Sequence, residues 1–261
     1  MSASPGLGRR LARLRGRPPQ PLALWSLARP TRSPESDLMN PALNIWEKSR
    51  GLLDLIYARG LDRAPEMDCA AQGAELLAPL IGSNRPRLLD AGCAGGHFYH
   101  SLARRGLKVD YYGLDSSPQT VALAQAAFRT LGLEPRRLVL GALADLAGWK
   151  FELAAVINTL SFNPDFREPL DRILDCGVRA LVIRDNFGPQ TVIRWEPDGY
   201  LDEGHNHLRG YWNQWSLAET REFLASRGFQ SQAVEDRRVR GQVEMVVGKP
   251  YRWSWLVAVR E

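Results

Sequence analysis

The sequence predicts an α/β protein built on a doubly wound, mostly parallel β-sheet. Two observations carry this prediction. Short apolar runs of strand length alternate with helical patterns from about residue 86 onwards. The first apolar run ends in Asp90 and breaks into a turn that contains Gly92, Gly95 and Gly96, as a strand does when it feeds a helix in such a sheet.

The first strand and its turn occupy residues 86–98, and Phe98 and Leu102 continue at helical spacing. We expect unpaired backbone N–H groups at this helix start, which would make the turn a nucleotide-type pocket. The dinucleotide fingerprint has a glycine at the third position of its turn, where this sequence has Ala94. The turn therefore predicts a nucleotide-type ligand other than a dinucleotide.

The second strand, residues 109–115, ends in Asp115, and Ser117 and Pro118 suit the start of the next helix. One helix and one strand separate Asp90 from Asp115, so both acids are predicted at the same edge of a parallel sheet, where ligands bind. A carboxylate at the end of the second strand can accept hydrogen bonds from both hydroxyls of a ribose.

These residues resemble motif I of the class I S-adenosylmethionine-dependent methyltransferases, in which a strand runs into acidic-x-Gly-x-Gly-x-Gly. Here alanine occupies the middle glycine position. The resemblance implies S-adenosyl-L-methionine as cofactor and a Rossmann-like, seven-stranded sheet whose last strand is antiparallel. It also implies cofactor contacts at Asp90, Gly92, Cys93, Ala94, Gly96, Asp115, Ser116, Ala142, Leu143 and Asn158.

The third strand, residues 137–141, leads into Ala142, where this family often has an acid that meets the adenine amino group. The adenine is therefore expected on backbone groups and Leu143. Asp145 either contributes to that contact or caps a helix. The remaining strands are predicted at residues 151–158, 180–183, 232–239 and 255–259, with helices at 44–58, 65–78 and 216–228 and a hairpin at 241–252.

The chain divides into a basic tail at residues 1–38, a helical lid at 39–83 and a methyltransferase domain at 84–261. The tail has seven arginines and two acids, so it accounts for the formal net charge of +5 of the whole chain. Its prolines and lack of apolar period predict disorder. A neutral remainder argues against a nucleic-acid-binding domain, although anionic-surface contact, targeting, or a start further downstream are alternatives for the tail.

No apolar run is long enough to span a membrane. The 3 cysteines are widely spaced without a metal or redox pattern, which favours a cytoplasmic protein. The oligomeric state is left open by the sequence.

The insertion at residues 187–215 is long for a loop and is rich in aromatic residues, which predicts a β-flap over the acceptor. Tyr211, Trp212 and Trp215 are expected to contact substrate, together with Asn186. His205 and His207 are candidate catalytic bases because histidine titrates near neutral pH.

Asp185 and Asn186 resemble the Asp-Asn pair that binds magnesium in catechol-type O-methyltransferases. Asn158 stands where that group has a third acid, so a divalent metal is not favoured and no metal ligand is assigned. Without a metal, Asp185 is a candidate base. Residues 163–166 resemble part of an Asn-Pro-Pro-Tyr/Phe motif for amine chemistry, but their position favours a helix start.

The predicted function is S-adenosylmethionine-dependent methyl transfer to a hydroxyl of a small polar molecule or saccharide. Two alternatives remain. The acceptor is RNA or protein, with the basic tail as an electrostatic anchor, or the chain is a non-catalytic binding module with the same fold.

Overall fold

The structure, a computed structural model, describes residues 44–82 and 84–260. The tail predicted at residues 1–38 lies outside the described residues, as do the first residues of the predicted lid. None of the described helices is long and apolar enough to cross a membrane.

The central sheet has the strand order β3–β2–β1–β4–β5–β12–β9, with the short β8 beside the end of β5. Strands β1 to β5 pair in parallel, and β12 runs antiparallel to both β5 and β9. The predicted fold class is confirmed. The sheet strands are β1 (Arg87–Ala91), β2 (Asp110–Asp115), β3 (Leu138–Leu140), β4 (Leu153–Ile157), β5 (Ala180–Gly188), β8 (Trp215–Ser216), β9 (Phe229–Glu235) and β12 (Trp253–Arg260).

The strand order reverses between β1 and β4, which places a crevice at the carboxyl ends of these strands. β1, β4 and β5 each contain a buried apolar run because helices cover both faces of a parallel sheet. The helices are α1 (Arg50–Gly60), α2 (Asp68–Ile81), α3 (Phe98–Arg104), α4 (Pro118–Thr130), α5 (Arg167–Asp175) and α6 (Leu217–Ser226).

The predicted helix at residues 44–58 is two elements in the structure. A short 3₁₀ helix, Ile45–Lys48, ends at Ser49, which has an extended backbone and whose hydroxyl accepts from the Leu52 N–H at the start of α1. The Ser49 hydroxyl is therefore the N-cap of α1, and the extended backbone at Ser49 separates the two helices. The predicted helix at 65–78 instead runs on through Pro79 to Ile81.

Two small hairpins lie outside the central sheet. β6 (Trp195–Pro197) pairs with β7 (Arg209–Tyr211), and β10 (Glu244–Val246) pairs with β11 (Lys249–Tyr251). The first hairpin lies within residues 187–215, where the flap is predicted, and an isolated bridge joins Val192 to Gln214. At the start of α6 the Ser216 hydroxyl accepts from the Glu219 N–H as an N-cap. The Ser216 N–H donates to the Thr191 hydroxyl, which in turn donates to the Glu219 carboxylate.

Candidate active site

The glycine turn after β1 uses left-handed backbone at Gly92, Ala94 and Gly96, with φ of 78°, 46° and 71°. The N–H groups of Gly92 and Cys93 both donate to the Leu114 carbonyl at 2.8 and 3.0 Å. The Gly96 N–H donates to the Cys93 carbonyl at 2.9 Å. These three N–H groups precede the helix start at Phe98, and β2 and the turn itself accept them.

Asp115 completes the bracing of the turn. Its Oδ2 accepts from the Ala94 N–H at 2.9 Å, and its Oδ1 accepts from the Ser117 N–H at 3.0 Å. Burial raises the pKa of this carboxyl, and the backbone donors oppose that effect. The side chain remains half-buried. Because each carboxylate oxygen can accept a second hydrogen bond, Asp115 retains acceptor capacity toward a ligand.

Packing explains why glycines occupy the turn. A Cβ on Gly95 would lie 2.5 Å from the Ile56 carbonyl oxygen of α1, and one on Gly96 would lie 2.9 Å from the Phe128 ring of α4. These distances are below any real Cβ contact, so a side chain would force the helices away. The turn is thus held between β2 and two helices.

Asp90 and Cys93 lie beneath the turn. Tyr111 donates to Asp90 Oδ2 at 2.5 Å, and burial raises the pKa of this carboxyl to about 7. Burial also raises the pKa of the Cys93 thiol, whose sulfur packs where a side chain on Gly113 would stand. Both side chains therefore support the turn from below.

The predicted adenine contacts lie at the rim of the crevice. Ser116 and Ala142 are exposed and Leu143 is half-buried. The Asp145 carboxylate accepts from the Ala142 N–H at 2.7 Å at the start of a 3₁₀ helix, Leu143–Leu146. Of the two roles considered for Asp145, the observed contact is the helix cap.

Asn158, at the end of β4, has a left-handed backbone with φ of 56°. Its side-chain oxygen accepts from Arg184, which also pairs with Asp236 at 2.6 Å. Arg184 and Asp236 are both buried. A buried ion pair therefore holds the Asn158 side chain at the end of β4, an arrangement that its sequence surroundings did not indicate.

Glu47 is a site residue that sequence reasoning missed. Its Oε1 accepts from the Ser117 hydroxyl at 2.7 Å and from the Gln119 N–H at 3.0 Å. The carboxylate thus caps α4 two residues beyond Asp115 and brings the 3₁₀ helix Ile45–Lys48 to the edge of the crevice. Because Glu47 lies 70 residues before Ser117, no local sequence pattern indicates this contact.

Asp185 and Asn186 have structural contacts in place of the predicted catalytic and substrate contacts. Both are fully buried. Asp185 Oδ2 accepts from the Leu160 N–H at 2.7 Å, and Oδ1 accepts from the N–H groups of Ser161 and Asn186. The Asn186 amide bonds to the Asn213 carbonyl and the Arg252 N–H. Both carboxylate oxygens of Asp185 therefore already accept hydrogen bonds from backbone N–H groups, which corrects its predicted role as a base.

This placement predicts that Asp185→Asn lowers the free energy of unfolding by about 1–3 kcal/mol, because the amide nitrogen would face a buried N–H donor. Urea unfolding measures the change, with and without Mg²⁺. Asp165→Asn is the matched control, since Asp165 lies near the surface and pairs with Arg167. A metal-dependent stabilisation that Asp185→Asn removes would instead make Asp185 a metal ligand.

The flap residues separate into different environments. Trp212 is 1% exposed and packs with Trp46, Phe162 and Tyr251, at ring-centroid distances of 5.6, 5.4 and 6.2 Å. Trp215 packs on Phe166 in the main core, which corrects its expected substrate contact. Tyr211 is half-buried and packs on Trp195 on the outer part of the flap.

The two predicted histidine bases lie in the turn between β6 and β7. His207 is exposed, and His205 is half-buried with its Nδ1 buried and without a partner among residues 44–82 and 84–260. The turn packs through Leu201 and Leu208 on Ile45, so it covers the 3₁₀ helix that carries Glu47. Within the described part of the chain, no group of three His, Cys, Asp or Glu side chains is arranged to hold a metal.

The family model and the curated relative that match this chain are both methyltransferases. A methyltransferase-domain family model matches residues 88–177. The chain aligns over 115 residues with the ubiquinone biosynthesis O-methyltransferase of Hahella chejuensis, at 29% identity. The aligned segment is 44% of this chain and 46% of that protein. The chain therefore matches less than half the length of this curated relative.

Two solved structures share the fold. The magnesium protoporphyrin IX methyltransferase of Synechocystis PCC 6803 with bound SAM aligns with a TM-score of 0.52 and 18% identity, covering 85% of this chain and 100% of that one. An S-adenosylmethionine-dependent methyltransferase from Clostridium acetobutylicum aligns with a TM-score of 0.53 and 15% identity. This alignment covers 80% of this chain and 98% of that one.

Proposed function

We propose that the chain is a class I S-adenosylmethionine-dependent methyltransferase, in keeping with the methyltransferase-domain model over residues 88–177, and that it transfers a methyl group from this cofactor to a hydroxyl of a small polar molecule or saccharide. The carrying observation is the glycine turn whose Ala94 N–H is bound by Asp115 at the switch point of the sheet. The sulfonium of the cofactor supplies an already activated methyl group.

The residues at the crevice suit this cofactor. Asp115 has acceptor capacity left for two ribose hydroxyls, and left-handed backbone at Gly92 and Ala94 lets the chain turn closely around a ligand. The exposed Ser116 and Ala142 and the half-buried Leu143 leave a rim for the adenine. We assign Asp90, Cys93 and Gly96 to the support of the turn.

The acceptor side is proposed beside Trp46 and Phe162, the half-buried members of an aromatic cluster whose other rings, Trp212, Tyr251 and Trp253, are buried. Trp46 adjoins Glu47, which caps α4 next to Asp115, so the 3₁₀ helix connects the cofactor edge to the cluster. Aromatic faces suit a sugar or ring.

The Ser161 hydroxyl lies beside both the Tyr251 hydroxyl and the Asp185 carboxylate, so these buried polar groups partner one another. Support for an oxygen acceptor comes instead from a relative of known name. The O-methyltransferase name of the Hahella relative favours oxygen as the methylated atom.

In this proposal a histidine of the flap removes the proton of the acceptor. A hydroxyl acceptor loses one proton during transfer, and a ring nitrogen of His205 or His207 would accept it. Asp185 does not take this part because its oxygens hold backbone N–H groups.

The test is incubation of the full chain with methyl-labelled S-adenosylmethionine and fractionated cell extract, followed by mass analysis of the labelled product. We expect a label on an oxygen of a small molecule. Heat-inactivated protein is the control for background transfer. Label found on nitrogen, on RNA or on protein would contradict the hydroxyl assignment, and binding of S-adenosylhomocysteine without any labelled product would favour a non-catalytic binding module.

A further inference from the structure

A second cavity lies toward the amino ends of the parallel strands, whereas the crevice lies at their carboxyl ends. Its volume is about 70 Å³. The apolar and aromatic side chains that line it come from the start of β2, from α3, from α4 and from the loop after α4, and they are Val109, Tyr111, Tyr99, Phe128 and Leu133. Val109, Tyr111 and Phe128 are buried, so the cavity has an apolar floor.

The aromatic walls of this cavity are held in place by contacts with one another and with the glycine turn. The Tyr99 ring centroid lies 5.6 Å from that of Tyr111 and 5.5 Å from that of Phe128. The Tyr111 hydroxyl donates to Asp90 beneath the turn, and the Phe128 ring lies where a side chain on Gly96 would stand. The cavity therefore has preformed walls, as ligand pockets usually do.

The charged residues of the cavity leave one guanidinium without a partner anion. Arg85, Glu134 and Arg137 also line it, and Arg137 forms ion pairs with Asp110 and Glu134. Arg85 forms no ion pair with any residue of 44–82 or 84–260. Its Nε donates to the Val109 carbonyl at 3.1 Å, which holds the guanidinium at the cavity and leaves its Nη donors to a ligand or to water.

We propose that this cavity is a binding site for a small aromatic monocarboxylate, separate from the donor crevice and beyond the proposed methyl transfer. The ring would pack against Tyr99 and the apolar floor, and the carboxylate would accept from Arg85, whose fork of donors matches its geometry. The volume is well below the about 300–1,000 Å³ of pockets for drug-sized ligands, so one ring is expected. Glu134 beside the same cavity disfavours a second negative charge on the ligand.

Benzoate and benzyl alcohol separate the carboxylate contact from the ring contact, because both have one ring and only benzoate has the charge. In a ligand-observed NMR titration of the full chain, benzoate is expected to bind about 10-fold more tightly than benzyl alcohol. Arg85→Met should remove this difference by weakening benzoate binding about 10-fold and leaving benzyl alcohol binding unchanged. Arg85→Lys should recover part of the loss, because it restores the charge without the planar fork.

Two further variants locate the ligand. Leu133→Trp is expected to fill the cavity and to abolish binding of both compounds. Lys108→Met is the matched control, because Lys108 is exposed next to Val109, does not line the cavity and carries the same charge as Arg85. It should bind both compounds as the wild-type protein does. The midpoint of thermal unfolding of each variant shows that it is folded.

Three results would overturn the proposal. The first is wild-type protein that does not bind benzoate. The second is benzoate binding that neither Arg85→Met nor Leu133→Trp weakens, because the ligand would then lie elsewhere on the protein. The third is equal loss of benzoate and benzyl alcohol in Arg85→Met, since Arg85 would then support the walls of the cavity without contacting a carboxylate.

Discussion

Asp115→Ala is expected to weaken S-adenosylhomocysteine binding by about 100-fold or more. Each charge-assisted hydrogen bond to a ribose hydroxyl contributes about 1.5–3 kcal/mol, and the carboxylate has capacity for two. The substitution also removes the acceptors of the Ala94 and Ser117 N–H groups, which hold the turn in shape. Calorimetric titration of the purified full chain measures the affinity.

Asp145→Ala is the control for this prediction. Asp145 is an exposed carboxylate at the next loop, and it also accepts a backbone N–H, from Ala142 at 2.7 Å. Its loss should change the affinity much less, because its observed contact is a helix cap. Asp115→Asn should fall between wild type and Asp115→Ala. Undiminished binding by Asp115→Ala would remove the basis of the cofactor site proposed here.

Gly92→Ala is expected to lower the free energy of unfolding by about 3 kcal/mol or more. Gly92 has φ of 78°, a conformation that costs an L-residue about 1–2 kcal/mol. A Cβ there would also overlap Thr159 Oγ1 and lie 2.8 Å from its Cγ2, and overpacking of this kind costs about 1–3 kcal/mol more. Denaturant unfolding gives the total.

Gly106→Ala separates the two costs. Gly106 has φ of 64°, but a Cβ there would meet nothing within 4 Å, so only the backbone cost of about 1–2 kcal/mol applies. The double variant Gly92→Ala/Thr159→Ala should recover part of the packing cost and none of the backbone cost. If Gly92→Ala and Gly106→Ala destabilise equally, the contact between the turn and Thr159 does not constrain position 92.

The fold could be predicted well because its signals are local. Apolar runs marked β1, β2 and β4 within a few residues, and Ser117 and Ser216 marked helix starts that their hydroxyls do cap. The juxtaposition of Asp90 with Asp115 followed from chain geometry, since parallel strands deliver their carboxyl ends to one edge. These inferences needed no knowledge of side-chain contacts.

The roles of single polar residues could not be predicted in the same way. Asp185 read as a base or metal ligand from its place after β5, yet it caps the 3₁₀ helix Leu160–Phe162 from a fully buried position. Trp215 read as a flap aromatic, yet it belongs to the main core. The same side chain suits either role, and only its neighbours from distant elements decide between them.

The sequence by itself determined the sheet, the turn and the acid at its edge, because strand alternation, glycine spacing and helix caps act over a few residues. The tertiary structure decided which groups brace the turn and which remain unpaired. Glu47 and Arg85 both precede β1 in the chain, and each meets its neighbours only after the chain has packed. Burial and hydrogen-bond partners are properties of that packing, so residue type and spacing could not assign them.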